Sequence, residues 1–134
     1  MYQYGKREHI MKITLSNTEW KLMNKLWENE PMTIMQLTHA LTDEVGWTKH
    51  TIITMLSRLE AKGAVYYEQG ARAKLYFAAV TREDAQTAET ESFLDKVYGG
   101  RPGLLMSTLV KNRSLTPQDI EELTEILRKA GEKK

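Results

Sequence analysis

Three sets of residues in this chain of 134 could do chemistry: three histidines, many carboxylates, and a run of small hydroxyl side chains that ends in arginine. The histidines, His9, His39 and His50, lie too far apart for any two to share a helix face at i, i+3 or i, i+4, and no H-E-x-x-H occurs. With no cysteine, thiolate metal sites and disulfides are excluded too. The acidic stretches "TREDAQTAETE" and "DIEELTE" read as helix-start positions and solvated faces rather than a positioned acid–base pair. "GGRPG" has neither the spacing nor the Lys-Ser/Thr of a phosphate loop and reads as a break between units. No nucleophile, base and acid converge. An enzyme is not expected, and no catalytic residue, metal ligand or cofactor is assigned.

The third set lies in "GWTKHTIITMLSRLEAKG", residues 46–63. At about 100° per residue from Thr48, the side chains of Ile52, Met55, Leu56 and Leu59 gather between about 340° and 80°, a core stripe. His50, Thr51, Thr54, Ser57 and Arg58 fall between about 180° and 300°, a second face that is small, polar and free of Asp and Glu. Ile53, at about 140°, fits neither stripe. A surface without carboxylates can approach phosphates unopposed. Short threonines let a helix backbone sit deep in the major groove, where hydroxyls meet base edges and methyls meet thymine. Arg58 can reach a phosphate or a guanine edge, and the helix N-terminus can hold a phosphate. The competing interpretation, tolerated surface threonines, weakens beside Arg72 and Lys74 on the hairpin that follows. Thr48, Lys49, His50, Thr51, Thr54, Arg58, Arg72 and Lys74 are therefore the candidate DNA-binding residues.

The elements that must position this face follow from capping and periodicity. Ser16 with Glu19 makes a capping box, and Trp20, Met23, Leu26 and Trp27 share a face of the first helix, which Pro31 stops. Thr33 with Gln36 repeats the signal for a second helix, with Ile34, Leu37, Leu41 and Val45 inward and Gly46 as its break. Thr48 caps the third helix, Trp47 and Ile52 can form a hydrophobic staple, and Gly63 can end it in a left-handed cap. "AVYYEQ" and "KLYFAA" around "GARA" read as a β-hairpin. Thr81 starts a helix that runs to Gly99–Gly100. "LLMSTLVKN" forms a short apolar helix, and Thr116 with Pro117 opens the last one. The fold class is mostly α with a small β-hairpin (α+β): an N-terminal winged helix plus a C-terminal helical domain. The expected division is a disordered leader over 1–11, a winged-helix domain over 12–80 and a helical domain over 81–134.

Bulk composition agrees. At 41% hydrophobic and 28% charged, the chain can build a real core but not two enzyme lobes. No apolar run approaches the roughly 18 residues of a membrane helix, so no membrane insertion and a cytoplasmic location are expected. The formal charge of +1 is uninformative as a total. Residues 47–76 concentrate the cations, with Lys49, Arg58, Lys62, Arg72 and Lys74 set against Glu60 and Glu68.

"LSNTEWKLMNKLW", "GWTKHTIITMLSRLEAKGAV", "LYFAAVT", "SFLDKVYGG" and "LVKN…LTPQDIEELTEIL" together resemble the penicillinase-repressor family, over about residues 13–128. The resemblance implies a homodimeric transcriptional repressor that controls resistance or stress genes and binds a two-fold double-stranded DNA operator with one recognition helix per half-site. It places Thr48, His50, Thr51, Thr54 and Arg58 on the recognition helix, with His50 where the family often has lysine, and Arg72 in the wing. It also implies that the helical domain over 81–134 is a dimerisation domain, with burial of Leu104, Leu105, Leu109, Leu115, Ile120, Leu123, Ile126 and Leu127 between two chains and Met106 and Val110 beside them. Two departures concern induction. The β-lactam-responsive members are cut by a regulatory membrane metallopeptidase at an Asn-Phe bond, where this chain has Thr108-Leu109. The copper-responsive members carry Cys-x-Cys pairs, absent here. The alternative from another class is a dimeric winged-helix scaffold that binds a protein partner. A steep salt dependence of binding separates DNA from that alternative.

Overall fold

The computed structural model describes residues 13–132, so the expected leader over 1–11 lies outside the described residues. The first three helices are α1 (Asn17–Asn29), α2 (Ile34–Val45) and α3 (Lys49–Lys62). An antiparallel hairpin of β1 (Val65–Gln69) and β2 (Lys74–Ala78) comes next. Then come α4 (Arg82–Tyr98), α5 (Pro102–Lys111) and α6 (Pro117–Glu132). No described helix is long and apolar enough to cross a membrane.

Local chemistry explains the helix starts. The Ser16 side chain accepts from the Glu19 amide, and the Glu19 carboxylate accepts from the Ser16 amide at 2.8 Å. Thr33 and Gln36 form the same reciprocal box on α2. Each such box satisfies two amides that helix geometry leaves without partners. Thr81 accepts from the Asp84 amide at 3.0 Å at the head of α4. Thr116 and Asp119 exchange two such bonds at the head of α6. Gly63 ends α3 at φ +86°, a left-handed conformation that a side chain would strain.

The chain divides into two compact units, the first reaching Thr90 and the second starting at Glu91, so the division falls inside α4. The first unit is organised around Leu22, Met23 and Leu26 of α1, Leu37 and Leu41 of α2, and Ile52, Met55, Leu56 and Leu59 of α3. Fully burying each such side chain is worth about 1.5–3 kcal/mol against solvent exposure. Leu22 joins Met23 and Leu26 at the centre, while Trp20 and Trp27 pack at its edge. Ala85, in the first turn of α4, belongs to the same core.

The end of α1 and the linker that follows it hold the hairpin at three points on or just after β2. Met32, just before α2, forms an isolated antiparallel bridge to Tyr76 with bonds of 3.1 and 2.8 Å. The Glu30 carboxylate accepts from the Ala78 amide at 2.8 Å. The Trp27 indole donates to the Val80 carbonyl at 2.9 Å. The linker between α1 and α2 thus acts as a short third strand beside the wing.

The second unit contains α5, α6 and the end of α4. Neither α5 nor α6 has a buried residue. Leu105, Leu109, Leu115 and Leu123 are half-buried, whereas Leu104, Ile120, Ile126 and Leu127 are exposed, Leu127 at 67%.

Candidate nucleic-acid interface

Helix α3 carries the two faces its sequence implies. Ile52, Met55, Leu56 and Leu59 are buried, and Trp47 packs against the same core as Ile52. Lys49, His50, Thr54, Ser57 and Arg58 are exposed. Thr48 caps the helix: its hydroxyl oxygen accepts from the Thr51 amide at 3.3 Å. The Thr51 hydroxyl lies 3.3 Å from that of Thr48 and Thr51 is half-buried, so it sits at the margin of the open face. No carboxylate occurs on α3 before Glu60.

The wing adds cations. Gly70 at the hairpin end donates its amide to the Ala73 carbonyl at 2.9 Å. A Cβ on Gly70 would come within 2.7 Å of that oxygen, so the turn presenting Arg72 requires glycine. Arg72 and Lys74 are exposed. The Lys74 ammonium lies 4.2 Å from the Tyr67 ring centroid, which steadies it against the strand. Among the described residues, Lys49, Arg58 and Arg72 have no ion-pair partner, so their charge is available to an anionic ligand.

One pair that positions α3 was not legible in the sequence. Lys62, in the last turn of α3, donates from Nζ to Glu19 Oε1 at 2.5 Å and to the Thr14 carbonyl at 2.9 Å. Glu19 is only 2% exposed. Burial pushes its pKa up, but the Lys62 bond and charge and the Ser16 bonds outweigh that and hold the carboxyl below its ordinary value. The capping-box pattern identifies Glu19 as the partner of Ser16. Nothing local announces a second partner 43 residues away. On the opposite edge, Lys25 pairs with Glu44 at 3.2 Å and links α1 to α2.

The sequence-expected dimerisation residues all lie in the second unit or on its helices, in the exposed and half-buried states described above. Among the described residues no group of His, Asp and Glu could hold a metal ion.

Three core helices, a cationic hairpin and a short bridging strand define a winged-helix protein with a helical appendage. Residues 15–129 match the family described as "Penicillinase repressor". The chain belongs to that family, which consists of transcriptional repressors rather than enzymes. The methicillin resistance regulatory protein MecI of Staphylococcus aureus (strain N315) is 28% identical over 115 residues, covering 86% of this chain and 94% of MecI. The penicillinase repressor of Bacillus licheniformis is 27% identical over 113 residues, covering 84% and 88%. The solution structure of Bacillus licheniformis BlaI, in its monomeric form in complex with the blaP half-operator, matches with a TM-score of 0.50 and 26% identity. That match covers 55% of this chain and 89% of the BlaI chain. MepR, a transcription regulator of the Staphylococcus aureus multidrug efflux pump MepA, matches over 98% of both chains with a TM-score of 0.50. At 20% identity it speaks to the fold alone.

Proposed function

We propose that this protein is a cytoplasmic repressor that binds a two-fold DNA operator as a homodimer, inserting α3 into the major groove and laying the 70–74 wing along the flanking backbone. The observation that carries this reading is the exposed, carboxylate-free face of α3, where Lys49 and Arg58 have no ion-pair partner among the described residues, beside Arg72 on the wing. Thr54 and Arg58 contact base edges, His50 and Thr51 support them at the groove wall, and Thr48 and Lys49 meet phosphates at the helix N-terminus. Arg72 and Lys74 contact phosphates. Family membership and the likeness to an operator-bound relative support the same reading.

Dimerisation rests on the second unit. Its helices expose Leu104, Ile120, Ile126 and Leu127 and bury none of their own residues, so a second copy is the natural cover. Two symmetric heads also supply the base contacts that one winged helix lacks. A regulatory membrane metallopeptidase has no Asn-Phe target here. Thr108 and Leu109 lie within α5, where the Thr108 hydroxyl bonds the Leu104 carbonyl at 3.2 Å, so cleavage there would require α5 to unwind.

The deciding experiment selects duplexes from a random pool with the full chain and measures affinity for the enriched site against ionic strength. A palindromic consensus whose affinity falls steeply with salt is expected. Recovery of no consensus, or salt-independent binding, would refute the DNA reading in favour of a protein-binding scaffold.

A further inference from the structure

Ile53 stands out on α3. It is 43% exposed in the middle of the helix, while the other large apolar residues of that helix, Ile52, Met55, Leu56 and Leu59, are buried. It lies at about 140° on the helical wheel, between Lys49 at about 100° and His50 at about 200°, with Glu60 at about 120° nearly two turns further along the helix. Both of those neighbours are exposed, as are Thr54 and Ser57. Ile53 is therefore a single branched apolar side chain at the edge of the polar arc, between Lys49 and the face that carries Thr54 and Arg58. A solvated helix position gains from a long or charged side chain, and a β-branched residue there costs rotamer freedom. The arc beside it suits DNA, and the one apolar group on a major-groove base edge is the thymine 5-methyl.

We infer that Ile53 is a specificity-determining residue that packs on a thymine 5-methyl in each operator half-site. The inference rests on the operator reading proposed above. Thr54 and Arg58 supply polar contacts on one side of the helix, and Ile53 supplies an apolar contact on the other, so the half-site requires thymine at one position that hydrogen bonding alone would not select.

The test uses the full chain and the site enriched in the selection. Each thymine is replaced singly by deoxyuridine, which removes only the methyl group. Wild-type protein is expected to lose about 3- to 10-fold in affinity at one symmetry-related thymine, the scale of one buried methyl, and little at the others. With Ile53→Ala the same replacement should have no further effect, and Ile53→Val should restore part of the sensitivity. Thermal melting checks that both variants fold, which the exposure of Ile53 favours. Equal sensitivity of wild type and Ile53→Ala at every thymine would overturn the assignment while leaving operator binding intact. So would an enriched site without thymine. If no consensus is enriched at all, the operator reading fails, and this inference fails with it.

Discussion

Glu19→Gln probes what holds α3 in place. The carboxylate is almost fully buried and accepts from Lys62 at 2.5 Å and from the Ser16 amide at 2.8 Å. Glutamine keeps the size and an acceptor for Ser16, so the loss falls on the charge-assisted bond and the attraction to Lys62. Bonds to charged groups contribute about 1.5–3 kcal/mol. Breaking a fully buried pair costs about 3–5 kcal/mol, but the Lys62 side chain is 37% exposed and recovers hydration when its partner goes. A destabilisation of about 1.5–2.5 kcal/mol follows, or roughly 6–20 °C in melting temperature for a domain of this size. The effect also depends on pH. The folded-state pKa of Glu19 lies below its ordinary value of 4.5, so its contribution is complete well above that value and is lost as pH falls below it. The wild type should therefore lose stability on acidification to a degree that Glu19→Gln does not. Circular dichroism melts at fixed protein concentration, from neutral pH down to acid, measure both effects. Lys62→Met should also destabilise, and the double variant should cost less than the two singles together. If Glu19→Gln melts with the wild type, or the two proteins show parallel acid limbs, the pair does not anchor α3.

The remaining predictions concern the interfaces. Arg58→Ala should abolish sequence-specific binding while leaving a folded dimer; unchanged affinity for the enriched site, by fluorescence anisotropy, would remove α3 from the reading role. Arg72→Ala should weaken binding to specific and random duplexes alike and flatten the salt slope by about one phosphate contact. A change of base preference instead would place Arg72 at a base edge. Leu123→Asp should give a monomer in sedimentation velocity, with operator affinity down by at least about 100-fold because two linked heads become one. A variant that still sediments as a dimer would show that α6 is not the interface.

The parts of the fold that were legible in the sequence share one property: their cause is local. Ser16, Thr33, Thr48, Thr81 and Thr116 each accept from the amide three residues on, because a cap is settled within one helical turn. Gly63 announces its left-handed cap in the same way. The fastenings between elements carry no such signature. The bonds from Trp27 to Val80, Ala78 to Glu30 and Lys62 to Glu19 span 53, 48 and 43 residues, and nothing near either end names its partner. The sequence also places the first residues of α4 in the dimerisation domain, while Ala85 packs into the core of the first unit. The α4 pattern is too weakly amphipathic to show that its two ends belong to different units.

The candidate site occupies the boundary between these two kinds of information, and the β-branched residues of α3 show why. A periodic pattern assigns Ile52 to the core and Thr54 to the surface, and burial agrees. For Thr51 the pattern gives the outward face, but its hydroxyl lies against the Thr48 cap and the residue is half-buried, because helix start and reading face compete for the same turn. For Ile53 periodicity gives neither role. It lies outside the core cluster and is 43% exposed, and the thymine contact inferred above would give a β-branched side chain a use there. A helix shaped only by its own stability would carry a glutamate or lysine at that position. On the proposed reading, the departures of α3 from good helix composition point to its partner surface more sharply than its cations do. A cation serves any phosphate, but an exposed isoleucine gains only where an apolar group meets it.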